Sequence, residues 1–559
     1  MNRHATILAL LVLIVLAPAT GGTQTRDAPL VEGQRTLRVQ REHYGTLAPD
    51  HPTVTRVRSI FDKIVQVAGR RPGPVIEIYV LDTPKVVGES LRGGLIVVSQ
   101  GLVDLAGSDD ALAFVLAHEL AHEVRDHHGI LDSLGVFGAS LTEGRASVPP
   151  DQVLRAYRAV ELDADRLGML FTSLAGYKVS SAIPVLQRVI ERSGSDLFHP
   201  SQTARAAAIQ DQLGEIVDHF EVLPLGLFLL ATGRYLDAAR VLEQFVSVFP
   251  SREVMSAVGV ALHKDALRYA PPPEFQHLLA IDAATRAPTT RGGLHPVFRQ
   301  RLNRAIHYYA LAVDADPSYA PALNNLATAY LDLGERDLAL GYINRALGED
   351  PSLASAYNNR ALAALMAKDY KRAEEDFLIA ARLAPRLQEI TDNLAHLYER
   401  MGRSGEARRW AQARGPEVAP KESALDVTGV IVPGQPAARL TEWQREPGTR
   451  QIKLPLENGT DRELTLVVFS RRGLAAVLLD GQIDAVGILS NTSTPATMVR
   501  GVRPGDPVAR ITSAYGRPEG LEGIQALNVS AFPSRMLVFF AVSDRVQTIW
   551  AGHAPPSKR

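Results

Sequence analysis

Cysteine is absent from the 559-residue chain. That excludes disulfides, iron–sulfur clusters, thiol nucleophiles and cysteine-type zinc sites, so any metal must be held by His, Asp or Glu. An excess of charge of either sign is also absent: 60 Lys and Arg stand against 61 Asp and Glu, for a formal net charge of -1. Nothing in this balance points to nucleic acid or to an acidic solvating tail. Long apolar runs are missing after the first twenty positions. The one strongly apolar segment follows Asn2-Arg3-His4, runs from Ala5 and leads into Ala17-Pro18-Ala19. A basic head, a short apolar run and an A-x-A-like site are the parts of a secretory signal, and the run is shorter than the about 20 residues that span a bilayer. The expectation is a cleaved signal over residues 1–19 and a soluble mature chain in the periplasm or another extracytoplasmic space. What remains is ordinary globular composition, 46% apolar and 22% charged, long enough for about three to four folding units.

Residues 50–212 read as mixed α and β. Val75 to Leu81 and Leu95 to Val98 are short β-branched runs, the second preceded by Gly93-Gly94. Ser108 followed by Asp109 and Asp110 marks a helix start, since the hydroxyl caps free N–H groups and the acids suit the positive end of the helix dipole. Over 215–414 the pattern becomes helical and repetitive. Pro317, Pro351 and Pro385 are 34 residues apart, as are Ala305, Ala339, Ala373 and Ala407, and again Ala327, Ala361 and Ala395. A 34-residue period with small residues where two helices approach predicts tetratricopeptide repeats in an all-α solenoid. Val222 to Pro250 fits the template loosely through Gly226 and Ala238, and residues 266–296, with Pro271-Pro272-Pro273 and Gly292-Gly293, read as an interruption. Residues 425–553 alternate apolar and polar positions and predict a β-rich accessory domain, with one helix capped by Asp506, opened by Pro507, ended by Gly516, and presenting Val508, Ile511 and Tyr515 on one face.

The chemistry is carried by His118-Glu119-Leu120-Ala121-His122, an H-E-x-x-H motif in a helical segment. Positions i and i+4 lie on one helix face, so both imidazoles can bind one zinc ion while Glu119 reaches its water. The apolar run Ala113 to Ala117 argues that this helix is partly buried, where unpaired polar groups are costly. A zinc peptidase needs a third protein ligand and an open fourth position. His128 has metzincin spacing, but Arg125 stands where that arrangement needs glycine. Asp163 and Asp165 are alternatives. Glu161 is the best candidate, with Asp165 one turn further on to accept a ring N–H from a ligating histidine.

Gly93-Gly94-Leu95-Ile96-Val97-Val98-Ser99, the H-E-x-x-H segment with His127 beyond it, Glu161-x-x-Ala164-Asp165-Arg166-Leu167-Gly168, and His199-Pro200-Ser201-x-x-x-Arg205 occur in that order. Together they resemble the gluzincin peptidases of the HtpX, Oma and Ste class, peptidase family M48. With a secretory signal ahead and repeats behind, the architecture is similar to that of BepA-like periplasmic peptidases. The resemblance implies an α+β gluzincin domain, one zinc ion on His118, His122 and Glu161, Glu119 as catalytic base, and misassembled outer-membrane proteins and their assembly machinery as targets. The family's frequent Asn before the Gly-Gly strand is absent here.

The activity expected is zinc-dependent peptide-bond hydrolysis on unfolded or extended polypeptides. Strand Leu95–Val98 is expected beside the cleft, taking substrate as an added strand, and the repeats are expected to offer a concave groove for substrates or assembly partners. The oxyanion donor stays open among Tyr157, His199 and Arg205. Pro200 biases His199 toward an extended conformation, which also suits it to return over the cleft as a regulatory residue. A chaperone-like envelope scaffold with a vestigial or structural zinc site is the alternative reading.

Overall fold

The computed structural model describes residues 28–68, 76–133, 151–177, 182–193, 222–248, 250–270, 296–385, 387–413, 433–447, 449–455, 463–469, 472–489, 502–515, 528–532, 536–542 and 545–552. The chain divides into two compact units, Met1–Ala68 with Gly73–Ile216 and Gly69–Pro72 with Val217–Arg559. The expected signal lies outside the described residues. Among them, no helix is long and apolar enough to cross a membrane.

In the first unit α1 (Ala28–Tyr44) and α2 (Pro52–Ala68) precede β1 (Glu77–Leu81), β2 (Gly88–Leu91) and β3 (Leu95–Ser99). Then come α3 (Gln100–Ala106), α4 (Asp109–Val124), α5 (His127–Ser133), α6 (Asp151–Leu174) and α7 (Ala182–Ser193). The strand order is β1-β3-β2, with β1 parallel and β2 antiparallel to β3. The β2–β3 turn is possible because Gly93 and Gly94 adopt φ of 84° and 85°, a region closed to most side chains. Ser99 ends β3 and caps α3 by accepting the Leu102 N–H at 3.1 Å. Ser108 caps α4 by accepting the Ala111 N–H at 3.2 Å, with Asp109 and Asp110 in the first turn. Helix α2 went unread in the sequence, although Val54, Val57, Phe61 and Ile64 form a buried helical face.

Helix α4 is buried along Ala111 to Ala121, packed against α2, α6, α7 and β2. Its closest neighbour is α6. A Cβ on Gly168 would stand 3.0 Å from both the Cα and the backbone N of His118, so only glycine lets the two backbones meet at the motif.

The second unit opens with helix pairs. Helix 222–231 packs on Tyr235–Val248, and a Cβ on Gly226 would meet Leu242 at 2.6 Å while Ala238 is fully buried. Three regular pairs follow further on: Ala320–Leu333 with Arg336–Glu349, Ala354–Met366 with Tyr370–Leu383, and Gln388–Arg400 with Ser404–Gln412. Ala327, Ala339, Ala361, Ala373, Ala395 and Ala407 are all buried in them. Helix Arg252–Leu267 pairs with Pro296–Ala315, and a Cβ on Gly259 would fall 2.5 Å from the Tyr309 ring. The interruption read from the sequence therefore sits inside one repeat, between its two helices, rather than between repeats.

The unit ends in a seven-stranded antiparallel sheet of order β4-β5-β6-β7-β10-β9-β8. The strands are β4 Thr449–Pro455, β5 Glu463–Phe469, β6 Leu474–Leu479, β7 Gln482–Ile488, β8 Asn528–Phe532, β9 Leu537–Val542 and β10 Arg545–Gly552. The helix expected from Asp506 begins later, at Ala509, and runs to Tyr515. The sheet takes the intervening residues: Val546 N–H bonds to the Asp506 carbonyl, Pro507 bridges Arg545, and the Asp506 carboxylate accepts the Arg503 N–H at 3.0 Å. Ile511 and Tyr515 are buried, as expected; Val508 packs half-buried against the same core. Gly516 lies outside the described residues. The sheet rests on the first helix pair through Phe228 and Trp550, whose ring centroids are 6.1 Å apart, and an Arg234–Asp484 ion pair.

Candidate active site

The contact between α4 and α6 assembles the cluster. His118 and His122 share one face of α4, a turn apart, with their Nε2 atoms 3.2 Å from each other. Glu161 of α6 meets both: its Oε2 lies 3.6 Å from His118 Nε2 and its Oε1 3.6 Å from His122 Nε2. The three side chains are only 11–13% exposed, and their ligand atoms lie within 4.8 Å of one another. Donors about 2.05 Å from one tetrahedral ion stand about 3.3 Å apart. Two imidazoles and a carboxylate at 3.2–3.6 Å fit a single zinc-sized ion, so these three residues could hold one.

The remaining ring nitrogens are engaged as well. His118 Nδ1 is 2.9 Å from Asp165 Oδ1, a fully buried carboxylate. A proton on Nδ1 would face this carboxylate and leave a lone pair on Nε2. His122 Nδ1 is 3.0 Å from His127 Nδ1, and His127 Nε2 is 3.3 Å from Asp163 Oδ2, which also accepts from Arg125 Nε at 3.1 Å. With protons on His122 Nδ1 and His127 Nε2, every contact in this chain joins a donor to an acceptor, and His122 Nε2 is also left unprotonated. Asp163, open as a ligand from the sequence, is thus occupied with His127 and Arg125.

Among the described residues the outcome for the other candidates is clear. His128 Nε2 lies 3.1 Å from the Ser90 carbonyl oxygen and 3.6 Å from Glu123, so it serves β2 rather than the cluster. Tyr157 sits one turn before Glu161 on α6, half-buried and under the influence of Arg92 and Asp132. His199 and Arg205 lie outside the described residues. Strand β3 is the central strand, paired on both sides and buried throughout, so it cannot accept a further strand; the edge beside α4 belongs to β2. The Gly-Gly turn hid this in the sequence, because β2 is short and half of it, Gly88 and Glu89, is exposed.

The sequence profile described as Peptidase family M48 matches residues 53–213, and that of the tetratricopeptide repeat matches 297–354 and 324–387. The chain carries a family M48 peptidase domain followed by tetratricopeptide repeats. The M48 domain is similar to the mitochondrial metalloendopeptidase OMA1 of Saccharomyces cerevisiae, 30% identical over 164 residues that make up 26% of this chain and 48% of the yeast one. The namesake from Schizosaccharomyces pombe is 27% identical over 197 residues, 32% of this chain and 58% of its own. The chain thus spans about half the length of these curated relatives. Among solved structures, a thermophilic tetratricopeptide-repeat protein of Thermus thermophilus is similar at 23% identity and a TM-score of 0.28, over 36% of this chain and 93% of that one.

In the M48 domain Glu119 stands between the cluster and the edge strand. It is 9% exposed, and a Cβ on Gly88 would lie 3.3 Å from its Oε1. Burial pushes its carboxyl up to about 7; His118 and the Ser90 backbone oppose the rise, while Glu161 and Glu89 add to it. Burial alone would lower the His118 imidazole, but the Asp165 carboxylate 2.9 Å away, with Glu161 and Glu119, leaves it above its ordinary value. His127 and Asp163 stand out in the sequence as a motif neighbour and an alternative ligand, but their chain to His122 does not, nor does Gly88 beside the base. The five-residue step from His122 to His127 was the one visible sign of that link.

Proposed function

We propose that this chain is a zinc-dependent endopeptidase that cleaves unfolded or misassembled envelope proteins outside the cytoplasm. In this reading His118, His122 and Glu161 hold one zinc ion, Glu119 is the base and Asp165 orients His118. The observation that carries it is the triangle of two Nε2 atoms and a carboxylate at 3.2–3.6 Å, with Glu119 adjoining. The OMA1 name of the relatives supports the same class of chemistry.

Zinc, when bound, supplies Lewis-acid polarisation of the scissile carbonyl and a water of lowered pKa. Glu119 takes the proton of the attacking water and passes it to the leaving nitrogen. Its buried position, one residue from His118, suits a group that must exchange a proton near neutral pH. Strand β2 offers backbone groups to an extended segment, so substrates with their own strands already paired do not fit. The repeats recruit substrates or assembly partners, including the outer-membrane assembly machinery. Their first helices are locked together by Asn359 donating to Asn324 at 2.9 Å and Asn393 donating to Asn358 at 2.8 Å, a stiff frame for such a role.

Metal analysis with casein cleavage, run on the full chain and on Glu119→Gln, tests the reading. One zinc per chain in both proteins and cleavage only in the first is the expected result. A zinc-loaded protein that leaves casein uncut would favour the scaffold alternative.

A further inference from the structure

The edge strand beside Glu119 is not open along its length. Residues 87, 89 and 91 of the β2 segment face β3: Val87 exchanges bonds with Ser99, accepting its N–H at 2.9 Å and donating to its Oγ at 3.0 Å, while Glu89 and Leu91 lie opposite Val97 and Leu95. By the two-residue alternation of an antiparallel ladder, the N–H and C=O of Gly88 and Ser90 point away from the sheet. Gly88 is exposed. Ser90 is buried, and the chain itself engages its outward side: the carbonyl accepts from His128 Nε2 at 3.1 Å, and the backbone favours the charged form of the adjoining Glu119 carboxylate.

This stop is built from several contacts. Ser90 Oγ donates to Glu123 Oε1 at 2.6 Å, and Glu123 Oε2 accepts the Gly94 N–H at 2.9 Å, which ties the β2–β3 turn to the end of α4. Arg92, in the same turn, donates from Nη1 to Asp132 Oδ2 at 2.6 Å and pairs through Nη2 with its other oxygen, so α5 grips the hairpin from the side on which His128 sits.

We propose that His128 is a specificity-determining residue that ends substrate docking at Ser90. A segment pairing antiparallel with β2 runs from the Leu91 end toward the Gly88 end. Its C-terminal part continues past Gly88, and its N-terminal part meets His128. The consequence is asymmetric recognition: the domain grips the chain on the C-terminal side of the bond to be cut and gains nothing from a longer N-terminal side. The substrate class is extended polypeptide bound mainly through residues after the scissile bond. This inference rests on the peptidase reading of the site.

The test uses the zinc-loaded full chain and quenched fluorescent peptides with a fixed C-terminal half and one to six residues before the cleaved bond. In the wild-type protein kcat/KM should level off after the first one or two residues. His128→Ala, which uncaps the Ser90 carbonyl, should let kcat/KM keep rising through KM, by about tenfold across the series, the worth of one more backbone hydrogen bond. His128→Gln keeps a donor and should restore the plateau, which loss of packing alone would not do. Equal length profiles in wild type and His128→Ala, or a wild-type profile that rises over all six residues, would overturn the proposal. Anisotropy of the same peptides with a non-cleavable bond separates the two readings. The predicted length profile in binding without any cleavage would uphold the docking stop and defeat the peptidase reading, whereas cleavage with identical profiles would do the reverse.

Discussion

Asp165 holds His118: its Oδ1 lies 2.9 Å from the ring Nδ1, one helical turn beyond Glu161 on α6. One face of one helix therefore brings both a ligand candidate and a carboxylate against the ring of another. Removing either should act differently. Glu161→Ala, like His118→Ala or His122→Ala, is expected to abolish stoichiometric zinc, read by metal analysis of the purified protein. Full occupancy in Glu161→Ala would refute the assignment.

Asp165→Asn should keep the fold and weaken zinc about 10- to 100-fold, the usual effect of losing a carboxylate behind a ligating histidine. His127→Phe should produce a loss of the same order from the other side, because His122 Nδ1 then loses its 3.0 Å contact with the His127 ring. Competition with a chelator of known affinity measures both. Unchanged zinc affinity in both variants would make these contacts structural only.

Gly168→Ala tests the approach of α6 to α4. The added methyl would meet backbone atoms of His118 at 3.0 Å, and backbone cannot swing aside as a side chain can. Overpacking of this kind costs about 1–3 kcal/mol, and the forced separation moves Glu161 away from the histidines. Lower thermal stability together with weaker zinc binding is expected; a variant that melts like the wild type would show that the helices can part without cost.

Lys264 in the second unit provides a pH test remote from the metal site. Burial holds its ammonium down to about 8, opposed by Glu389. Because the folded value lies below the unfolded one, near 10.5, the unfolded chain binds the extra proton between these limits. Stability should rise with pH from about 8 to about 10.5, and the full penalty applies at neutral pH. Lys264→Met should therefore gain about 1–3 kcal/mol at pH 7 and lose that pH dependence relative to wild type. Denaturant unfolding at pH 7 and pH 10 measures both effects, and equal pH responses in the two proteins would contradict the account.

Local periodicity made much of this protein readable from its residues. The 34-residue spacing of alanines predicts paired helices because two helices can approach only where side chains are small, and Ala305, Ala339, Ala373 and Ala407 are all buried at such contacts. The step of four between His118 and His122 places both rings on one face for the same geometric reason, and Ser108 caps its helix as a hydroxyl before two acids should. Pairings made across the fold were not readable in this way. Which strand forms the edge depends on sheet order, and the order β1-β3-β2 arises from non-local hydrogen bonds with no period in the sequence. Asp163 and Asp165 are chemically alike and two residues apart; only the packing of α6 on α4 aims one at His118 and the other at His127. His128 reads as a spare ligand in the sequence and becomes a cap on Ser90 in the structure. The sequence by itself determined the residue types and helical phases of the site, because those follow from neighbours in the chain. The tertiary structure alone decided which partner each group meets, because that depends on where distant backbones come to rest.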